Sequence, residues 1–504
     1  MTPGRPRLPN AKPNAKLFKF AFAILKPPAI NTGNELTNSN NETSNFNNAS
    51  LNSNQSLQPH APSIPPLKKK DSRPRGSHYP LTVIHLALNL VRYAGLSLRG
   101  TAATLAVYAA TNNPQSLSST PCVTTVRSWI LRLGYAQLTR PLPHNHSWAW
   151  LIDHTLQIGS TKLFTIVGVP LDQVPFGVRP LRLADLHLVA MVPMEESNQQ
   201  RVAQALANAV PRTGVPRQII ADGGSDLQKG IALFQEDFPQ TASVPDIAHH
   251  TANLLKHYWE SDPRWTEFTR RMSETAAKLR QTAAAHLMAP KLRNKARFMS
   301  VGSMVKFGRV VLRKLKEAEP NTKVVQWYSW LSEFAESLAG WATQHAVTQV
   351  ALEQVRVEGL FERGEAELEA EWTRLELAAN PVSLPLRNRL RAYVGRYGRE
   401  LRGGERFIGS TEILESAFGV LKRLSRDQSQ SGLTVLSVGL GAMLGQTTPE
   451  QIQADLDRVP EKNVESWGKR MIGKTVQWLR RQFFQTPSAT QAPSPTQAPE
   501  PVSG

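Results

Sequence analysis

The segment from residue 147 to about residue 247 restricts the fold most, because its hydrophobic period changes several times within a short length. It begins with three compact apolar runs that predict three successive strands, namely "WAWLID", "KLFTIVGVPL" and "ADLHLVAMVPM". It continues with runs that predict, in turn, a helix, a strand, a helix and a strand, namely "ESNQQRVAQALANAV", "RQIIAD", "GSDLQKGIALFQEDF" and "ASVPDI". The segment is therefore predicted to form an α/β unit with five strands.

Three strands in a meander followed by alternating helices and strands is the element order of the ribonuclease H-like fold, a mixed sheet with helices on both faces. In that fold one acid ends the first strand and another follows the fourth, so adjacent strand ends bring two carboxylates together. Asp153 and Asp222 occupy these two places. Two divalent metal ions about 4 Å apart need hard oxygen ligands of this kind. The sequence therefore predicts an acidic metal site, with a third carboxylate from a later helix.

The segment "GSTEILESAFGVLKRLS" is predicted to be that helix, because its apolar residues form one stripe and Glu415 lies near it. Glu415 and Lys422 are seven residues apart and share a face, so Lys422 is predicted to contact DNA phosphate beside a metal-bound acid. Glu412, one turn earlier, is the alternative, but the helix dipole already accounts for an acid in a first turn. We therefore assign Glu415 as the third acid and Glu412 as a neighbouring motif residue.

Taken in chain order, four motifs resemble those of the DDE transposases of insertion sequences: "WLIDHTLQIG", "IIADGGSDLQKG", "DIAHHTANLLK" and "EILESAFGVLK". Asp246 and His249 resemble the Cys/Asp-x-x-His motif that several transposase superfamilies with a ribonuclease H core carry after the second acid. The resemblance covers roughly residues 80 to 440. The chain departs from the family with the matching glutamate-to-lysine spacing at Ile408 and Thr411, where that family has Tyr and Arg.

The resemblance implies a DNA transposase that binds terminal inverted repeats, cleaves DNA strands and transfers them. Asp153, Asp222 and Glu415 would be its catalytic residues and would hold two Mg²⁺ ions, with Mn²⁺ as an expected substitute. Water would be the first nucleophile and a 3′-hydroxyl the second. The expected partners are double-stranded DNA, as transposon ends and as target, and further copies of the chain in a homodimer or larger synaptic complex.

Two alternative functions remain open at this point. A ribonuclease H-like nuclease or resolvase would use the same acids, but it would need neither a long insertion nor a separate module that reads a DNA site. A DNA-binding protein descended from a transposase would have lost the chemistry, and the presence of all three acids argues against it.

Residues 78–140 contain three helical patterns, "LTVIHLALNLVRYAG", "SLRGTAATLAVYAA" and "TPCVTTVRSWILRLGY". Ser97 and Thr120 are expected to cap the second and third helices. Three short helices suit a helix-turn-helix module, whose third helix would enter the major groove and present Arg127 and Arg132 to DNA. The alternative is a small helical bundle with an incidental arginine face.

An inserted domain is expected between the fifth strand and the glutamate helix. The two aspartates are 69 positions apart, whereas 193 positions separate Asp222 from Glu415, which is too many for one strand and one helix. Residues 251–405 read almost wholly as helix, including Trp327, Trp330 and Trp341, which we expect in its core.

Two basic stretches in this insertion predict phosphate contacts. Eleven Lys or Arg and no acid lie between Glu274 and Glu317, an asymmetry that suits binding of DNA by counterion release. A second run, "RNRLRAYVGRYGRELRGGER", contains seven arginines and could grip strand ends, or could be a helix that exposes Arg to water and buries its Tyr. The candidate DNA-binding residues of the two stretches are Arg293, Lys295, Arg297, Arg391 and Arg396.

The charge balance agrees with a nucleic-acid partner, since 59 Lys and Arg against 40 Asp and Glu give a net charge of +19. The single cysteine, Cys122, excludes a disulfide framework and a Cys-rich zinc module, and it suits a reducing compartment. The most apolar N-terminal run, residues 17–25, is much shorter than a membrane span. We expect no membrane partner, and a cytoplasmic, nucleoid-associated location in a prokaryote or a nuclear one in a eukaryote.

The composition shifts along the chain define seven predicted regions. They are a disordered Asn-rich and basic region (1–77), the helix-turn-helix-like domain (78–140), the first part of the ribonuclease H-like core (145–250), the helical insertion (251–405), the second part of the core with the glutamate helix (406–450), C-terminal helices (451–484) and a disordered tail (485–504).

Overall fold

The computed structural model describes residues 72–111, 120–156, 159–292, 297–425 and 431–485. The predicted disordered regions lie almost entirely outside these residues. Residues 72–77, which the sequence assigns to the N-terminal region, contact a C-terminal helix: the Ser72 hydroxyl donates to the Gln453 side chain (3.2 Å), and the Arg75 backbone N–H donates to Asp457 (2.5 Å).

Five strands form one mixed sheet in the order β3-β2-β1-β4-β5. Their bounds are β1 Trp148–Leu156, β2 Lys162–Pro170, β3 His187–Met194, β4 Gln218–Ala221 and β5 Ala242–Pro245. β2 runs antiparallel to both β1 and β3, and β4 and β5 run parallel to β1. The predicted order of three strands, helix, strand, helix, strand is confirmed, because each change of period in the sequence coincides with a change of element.

Helices cover both faces of the sheet. Successive residues of β1 point to opposite faces, so Trp150 packs in one apolar cluster with helices α4 (Gln199–Thr213) and α5 (Ser225–Asp237). Leu151 packs on the other face in a larger cluster that includes the insertion. Asp153 is two residues after Leu151 and shares its face, and His154 is four residues after Trp150 and shares that face. The acid and the histidine therefore lie on opposite faces of the sheet.

The N-terminal helices are α1 (Leu81–Arg92), α2 (Leu98–Thr111) and α3 (Val123–Thr139). Ser97 caps α2 as predicted, since its hydroxyl accepts from the Gly100 N–H at 3.0 Å. The expected cap at Thr120 is wrong, because α3 begins at Val123 with Cys122 in the cap position.

Helix α3 is a core helix of the molecule. It shares an apolar cluster with the 3₁₀ segment Val435–Met443 and with the C-terminal helices α14 (Pro449–Arg458) and α15 (Glu461–Met471). A last helix, α16 (Val476–Gln485), has no buried residue. The predicted N-terminal and C-terminal regions therefore share one core.

The described residues between the sheet and the glutamate helix are mostly helical. The helices are α6 (Ile247–Glu260), α7 (Pro263–Leu279), α8 (Val301–Glu317), α9 (Lys323–Tyr328), α10 (Ala335–Val357), α11 (Gly364–Arg374), α12 (Leu384–Arg399) and then α13 (Glu412–Leu424), which carries Glu415. Trp341 is buried against Trp265 and Phe268, whereas Trp327 and Trp330 are partly buried at the edge of the same cluster. Within the described residues, no helix is long and apolar enough to cross a membrane.

Candidate active site

The register of the parallel strands aligns three aspartates. The β1–β4 ladder ends at the pair Ile152–Ala221, so Asp153 and Asp222 are each the first residue beyond it. The β4–β5 ladder also ends at Ala221, and Asp246 follows it, with its backbone N–H donating to the Ala221 carbonyl at 2.9 Å. Neighbouring parallel strands in register present these positions at one edge of the sheet.

The predicted place of Asp153 at the end of its strand needs a correction. β1 continues to Leu156 through its antiparallel pairing with β2, in which Asp153 faces Thr165. What ends at Asp153 is the pairing with β4. The position is therefore the point where β1 and β4 separate, and a strand that continues on one side holds the backbone of Asp153 in place.

Asp153 lies in an unfavourable environment for a negative charge. Burial, followed by the nearby charge of Asp222, raises the pKa of Asp153 to about 7. The His154 backbone N–H donates to Asp153 at 2.6 Å, and this bond and the nearby His249 oppose the increase. Two aspartates therefore lie close enough for their charges to interact strongly.

The loop after β4 fixes the backbone around Asp222. The Gly224 N–H donates to the Asp222 carboxylate at 2.9 Å, and the Gln228 side chain donates to the Asp222 carbonyl at 2.7 Å. A Cβ on Gly224 would lie 2.9 Å from the Asp222 carboxylate, so glycine is needed there for close approach. Its φ of −58° shows that a left-handed backbone is not the reason.

Helix α13 brings Glu415 towards the two aspartates. The negative charge of Glu415 contributes to the raised pKa of Asp153, and a Glu415 oxygen lies 3.9 Å from Nε2 of His249 on α6. The Glu415 side chain is 55% exposed. The sequence-predicted acids and the predicted histidine thus converge on one region, with Glu415 on its solvent side.

Glu412 has a different partner. Its carboxylate accepts two hydrogen bonds from the Arg356 guanidinium at the end of α10, and the Ser410 hydroxyl also donates to it at 3.3 Å. Asp246 is buried, accepts from the Ala248 N–H at 2.7 Å and accepts from the Thr411 hydroxyl. These two acids therefore anchor the start of α13, and Glu415 is the glutamate of this helix whose charge acts on Asp153.

The donor set suits a hard divalent cation, although it is not assembled as a closed metal centre. Within the described residues, no group of three or more His, Cys, Asp or Glu side chains is arranged to hold a metal ion. Burial and the nearby charge of Asp222 raise the pKa of Asp153, and within the described residues no Lys or Arg pairs with it. Carboxylate oxygens are the ligands that Mg²⁺ prefers. Asp153 and Asp222 fit such an ion, and Glu415 would have to turn inward to complete the set.

Several predicted DNA-binding residues have protein partners instead. Arg132 donates to the Val459 carbonyl (2.7 Å) and the Leu456 carbonyl (2.6 Å) at the end of α14. Nε of Arg127 is buried without a hydrogen-bond partner. The carbonyl contacts hold Arg132 against α14, whereas the start of α3 is exposed at Cys122 and Thr124. The entry of this helix into a major groove stays a prediction.

The candidates of the insertion differ in their accessibility. Arg391 pairs with Glu365 at 3.1 Å and is partly buried, whereas Arg396 is exposed beside Glu400 at 3.7 Å. Lys422 is exposed on α13. Arg293 and Lys295 lie outside the described residues, and only the backbone of Arg297 is described, at the start of a 3₁₀ turn, Arg297–Met299.

The sequence did not identify a second polar cluster, on the opposite face of β1. Asp226, in the first turn of α5, accepts from the Ser197 hydroxyl and lies 3.3 Å from Nε2 of His154. The Ser197 oxygen is 2.9 Å from the same nitrogen, and Lys162 is 4.0 Å from Asp226. This cluster ties β1 to the first turn of α5. In the sequence, a single histidine directly after Asp153 is not enough to predict this cluster.

The comparisons with known proteins leave the function to be argued from this geometry. No family model and no curated protein matches the chain. Among solved structures, the chain is similar to the Drosophila P element transposase strand transfer complex, with 10% sequence identity and a TM-score of 0.34. The similarity covers 77% of this chain and 96% of that chain. At this TM-score it carries no argument about chemistry.

Proposed function

We propose that the chain is a DNA transposase that binds terminal inverted repeats and catalyses metal-dependent DNA strand cleavage and strand transfer on a ribonuclease H-like core. The observation that carries the proposal is the register of β1 and β4. It aligns Asp153 and Asp222 at the end of their ladder, and α13 carries Glu415 to the same edge. The four motifs that resemble DDE transposases supply these same residues in the same order.

Asp153, Asp222 and Glu415 would hold the metal. When bound, Mg²⁺ would activate the attacking oxygen and stabilise the leaving oxygen of the phosphodiester. The remaining roles fall to the chain itself. His249 would orient Glu415, Asp246 would fix the start of its helix through Thr411, and exposed Lys422 would contact a phosphate beside the site.

A strand-cleavage assay tests this proposal with DNA that carries the repeats flanking the coding region. Wild-type protein should cleave one strand at a repeat end with Mg²⁺ or Mn²⁺, and it should join the new 3′-hydroxyl to a target duplex. Asp153→Asn, Asp222→Asn and Glu415→Gln should each lower the cleavage rate by about 100-fold or more, because each removes a metal ligand.

The matched control is Asp172→Asn, which neutralises an exposed aspartate that interacts with His146 at 2.9 Å. It should cleave like the wild type. Cleavage that persists without divalent cation, or an active Asp222→Asn variant, would rule out the metal site. Cleavage without strand transfer would favour a nuclease, and repeat binding without cleavage would favour a DNA-binding descendant of a transposase.

A further inference from the structure

The start of the glutamate helix is held from two sides. On the side of the sheet, the Thr411 hydroxyl donates to the buried Asp246 carboxylate, and the Ile247 N–H donates to the Gly409 carbonyl at 2.9 Å. On the side of the insertion, Nε and Nη2 of Arg356 donate to the two oxygens of Glu412. Glu415 lies one turn after Glu412, so both sets of contacts determine where its carboxylate is placed.

The Arg356–Glu412 pair is stronger than an ordinary surface ion pair. Its two parallel hydrogen bonds use the planar fork of the guanidinium, and each side chain is only about one third exposed (30% and 32%). Removing one member would leave the other partly buried without its partner, which costs more than losing an exposed pair. This pair can therefore hold the first turn of α13 against thermal motion.

Helix α10 connects this pair to the rest of the insertion. It runs from Ala335 to Val357 and packs against α6, α8, α11 and α12. Arg356 is in its last turn, three residues before Gly359, and Leu360 then forms an isolated antiparallel bridge with Phe407, shortly before α13. A displacement of α10 therefore reaches the first turn of α13 through the Arg356–Glu412 pair as well as through this bridge.

We propose that Arg356 is a positioning residue, through which the helical insertion sets the placement of Glu415 relative to Asp153 and Asp222. The assignment rests on the proposed function. Glu415 is exposed and lies 3.9 Å from His249, and the Arg356–Glu412 pair fixes the helix turn that carries it. DNA bound to the insertion would then favour the assembled set of acids.

Three variants and one control test the link. Arg356→Gln removes the positive charge of the pair, and Glu412→Gln removes the negative charge. The double variant Arg356→Glu with Glu412→Arg exchanges the two charges. Arg374→Gln is the control, because Arg374 makes a similar two-point contact with Glu371 on α11. Each full-length protein is measured for thermal unfolding, DNA affinity, cleavage rate at saturating DNA, and hydrogen exchange of residues 408–418.

Arg356→Gln and Glu412→Gln should each lower the cleavage rate at saturating DNA by about tenfold, the size seen when a residue that supports a metal ligand is lost. Their DNA affinity should stay within about twofold of wild type, and exchange of residues 408–418 should become faster. The charge-reversed pair should recover part of the rate and of the protection. Arg374→Gln should match wild type in affinity, rate and exchange.

Unchanged cleavage and unchanged exchange in Arg356→Gln would overturn the proposal, and so would an equal loss of rate in Arg374→Gln. Lost DNA affinity in Arg356→Gln with a normal rate at saturation would assign the residue to binding instead. If wild-type protein does not cleave DNA, the proposed function fails, whereas the exchange measurement still decides whether Arg356 holds the first turn of α13.

Discussion

Asp153 is the residue whose environment is hardest to explain as purely structural. Burial and the charge of Asp222 raise its pKa to about 7, so the charged form destabilises the fold as pH rises from the ordinary aspartate range towards neutrality. Two other aspartates have cationic partners: Asp455 pairs with Arg140, and Asp185 with Arg179 at 2.6 Å, whereas buried Asp246 accepts two hydrogen bonds. Within the described residues no Lys or Arg pairs with Asp153. A bound divalent cation would supply that missing charge.

Cys122 gives a residue-scale prediction that does not depend on the proposed chemistry. Hydrogen bonds from Thr124 (3.0 Å) and Thr125 (3.2 Å) lower the pKa of this exposed thiol to about 6. Because the thiolate is the reactive form, the rate of alkylation by iodoacetamide should reach half its maximum near pH 6.

The chain has one cysteine, so the label reports on this site alone. Replacing Thr124 and Thr125 by valine should move the midpoint towards the ordinary cysteine value of about 8.5, because the two donors to the thiolate are gone. A wild-type midpoint already at that value would contradict the assignment of the two threonine hydroxyls as donors.

At the scale of single elements, two helical glycines in different surroundings should respond oppositely to alanine. Gly134 in α3 contacts the 3₁₀ segment Val435–Met443 so closely that a Cβ would overlap the Val438 carbonyl oxygen. Gly419 in α13 has no neighbouring atom within 4 Å of the position that a Cβ would take, so its alanine would meet open space.

Gly134→Ala should therefore lower the free energy of unfolding by about 3 kcal/mol, since both backbones must separate. Gly419→Ala should raise it by up to about 1 kcal/mol, because alanine loses less backbone entropy in a helix. Urea denaturation of the two variants beside wild type measures both effects. A Gly134→Ala variant as stable as wild type would show that α3 and the 3₁₀ segment are not in direct contact.

The sequence predicts elements better than partners, for a physical reason. Strand and helix periods are local, so the five strands and the glutamate helix could be read from short windows. The partners of charged side chains are not local. Arg132 binds carbonyls more than 300 residues away, and Arg356 binds Glu412 across 56 residues, neither of which leaves a pattern in a window.

The acidic site shows the same division. The sequence indicates the three acids, Asp153, Asp222 and Glu415, because each follows or lies on a strand or helix whose hydrophobic period is visible in its own segment. The alignment of Asp153 with Asp222 depends on the register between β1 and β4, and a register is defined only when two strands pair. The contacts of Asp226 could not be predicted, because its partners, His154 and Ser197, come from two other parts of the chain.

At the scale of the whole molecule, the basic side chains behind the net charge of +19 are of two kinds, those held in contacts within the protein and those exposed to solvent. Arg391 is paired with acids, so its charge does not add fully to an external field. Arg132 keeps its charge, but its guanidinium donates to backbone carbonyls and is less available to a phosphate. Lys306 and Arg313 are exposed on α8, seven residues apart on one face, in the stretch without acids between Glu274 and Glu317. This face is the described surface best suited to DNA phosphate.

The salt dependence of DNA binding tests whether the exposed residues of α8 contact DNA phosphate. Each phosphate contact releases condensed counterions, so removing one should reduce the slope of log K against log salt by about 0.9. Lys306→Ala and Arg313→Ala should each weaken binding to any duplex sequence and reduce the slope by that amount, and the double variant should reduce it by about twice as much.

Arg270→Ala is the matched control, because Arg270 is exposed on α7 but pairs with both Glu267 and Glu274. It should leave the slope unchanged. Fluorescence anisotropy with one duplex at several salt concentrations compares these variants with wild type, and an unchanged slope in the double variant would exclude this face of α8 from the DNA contact.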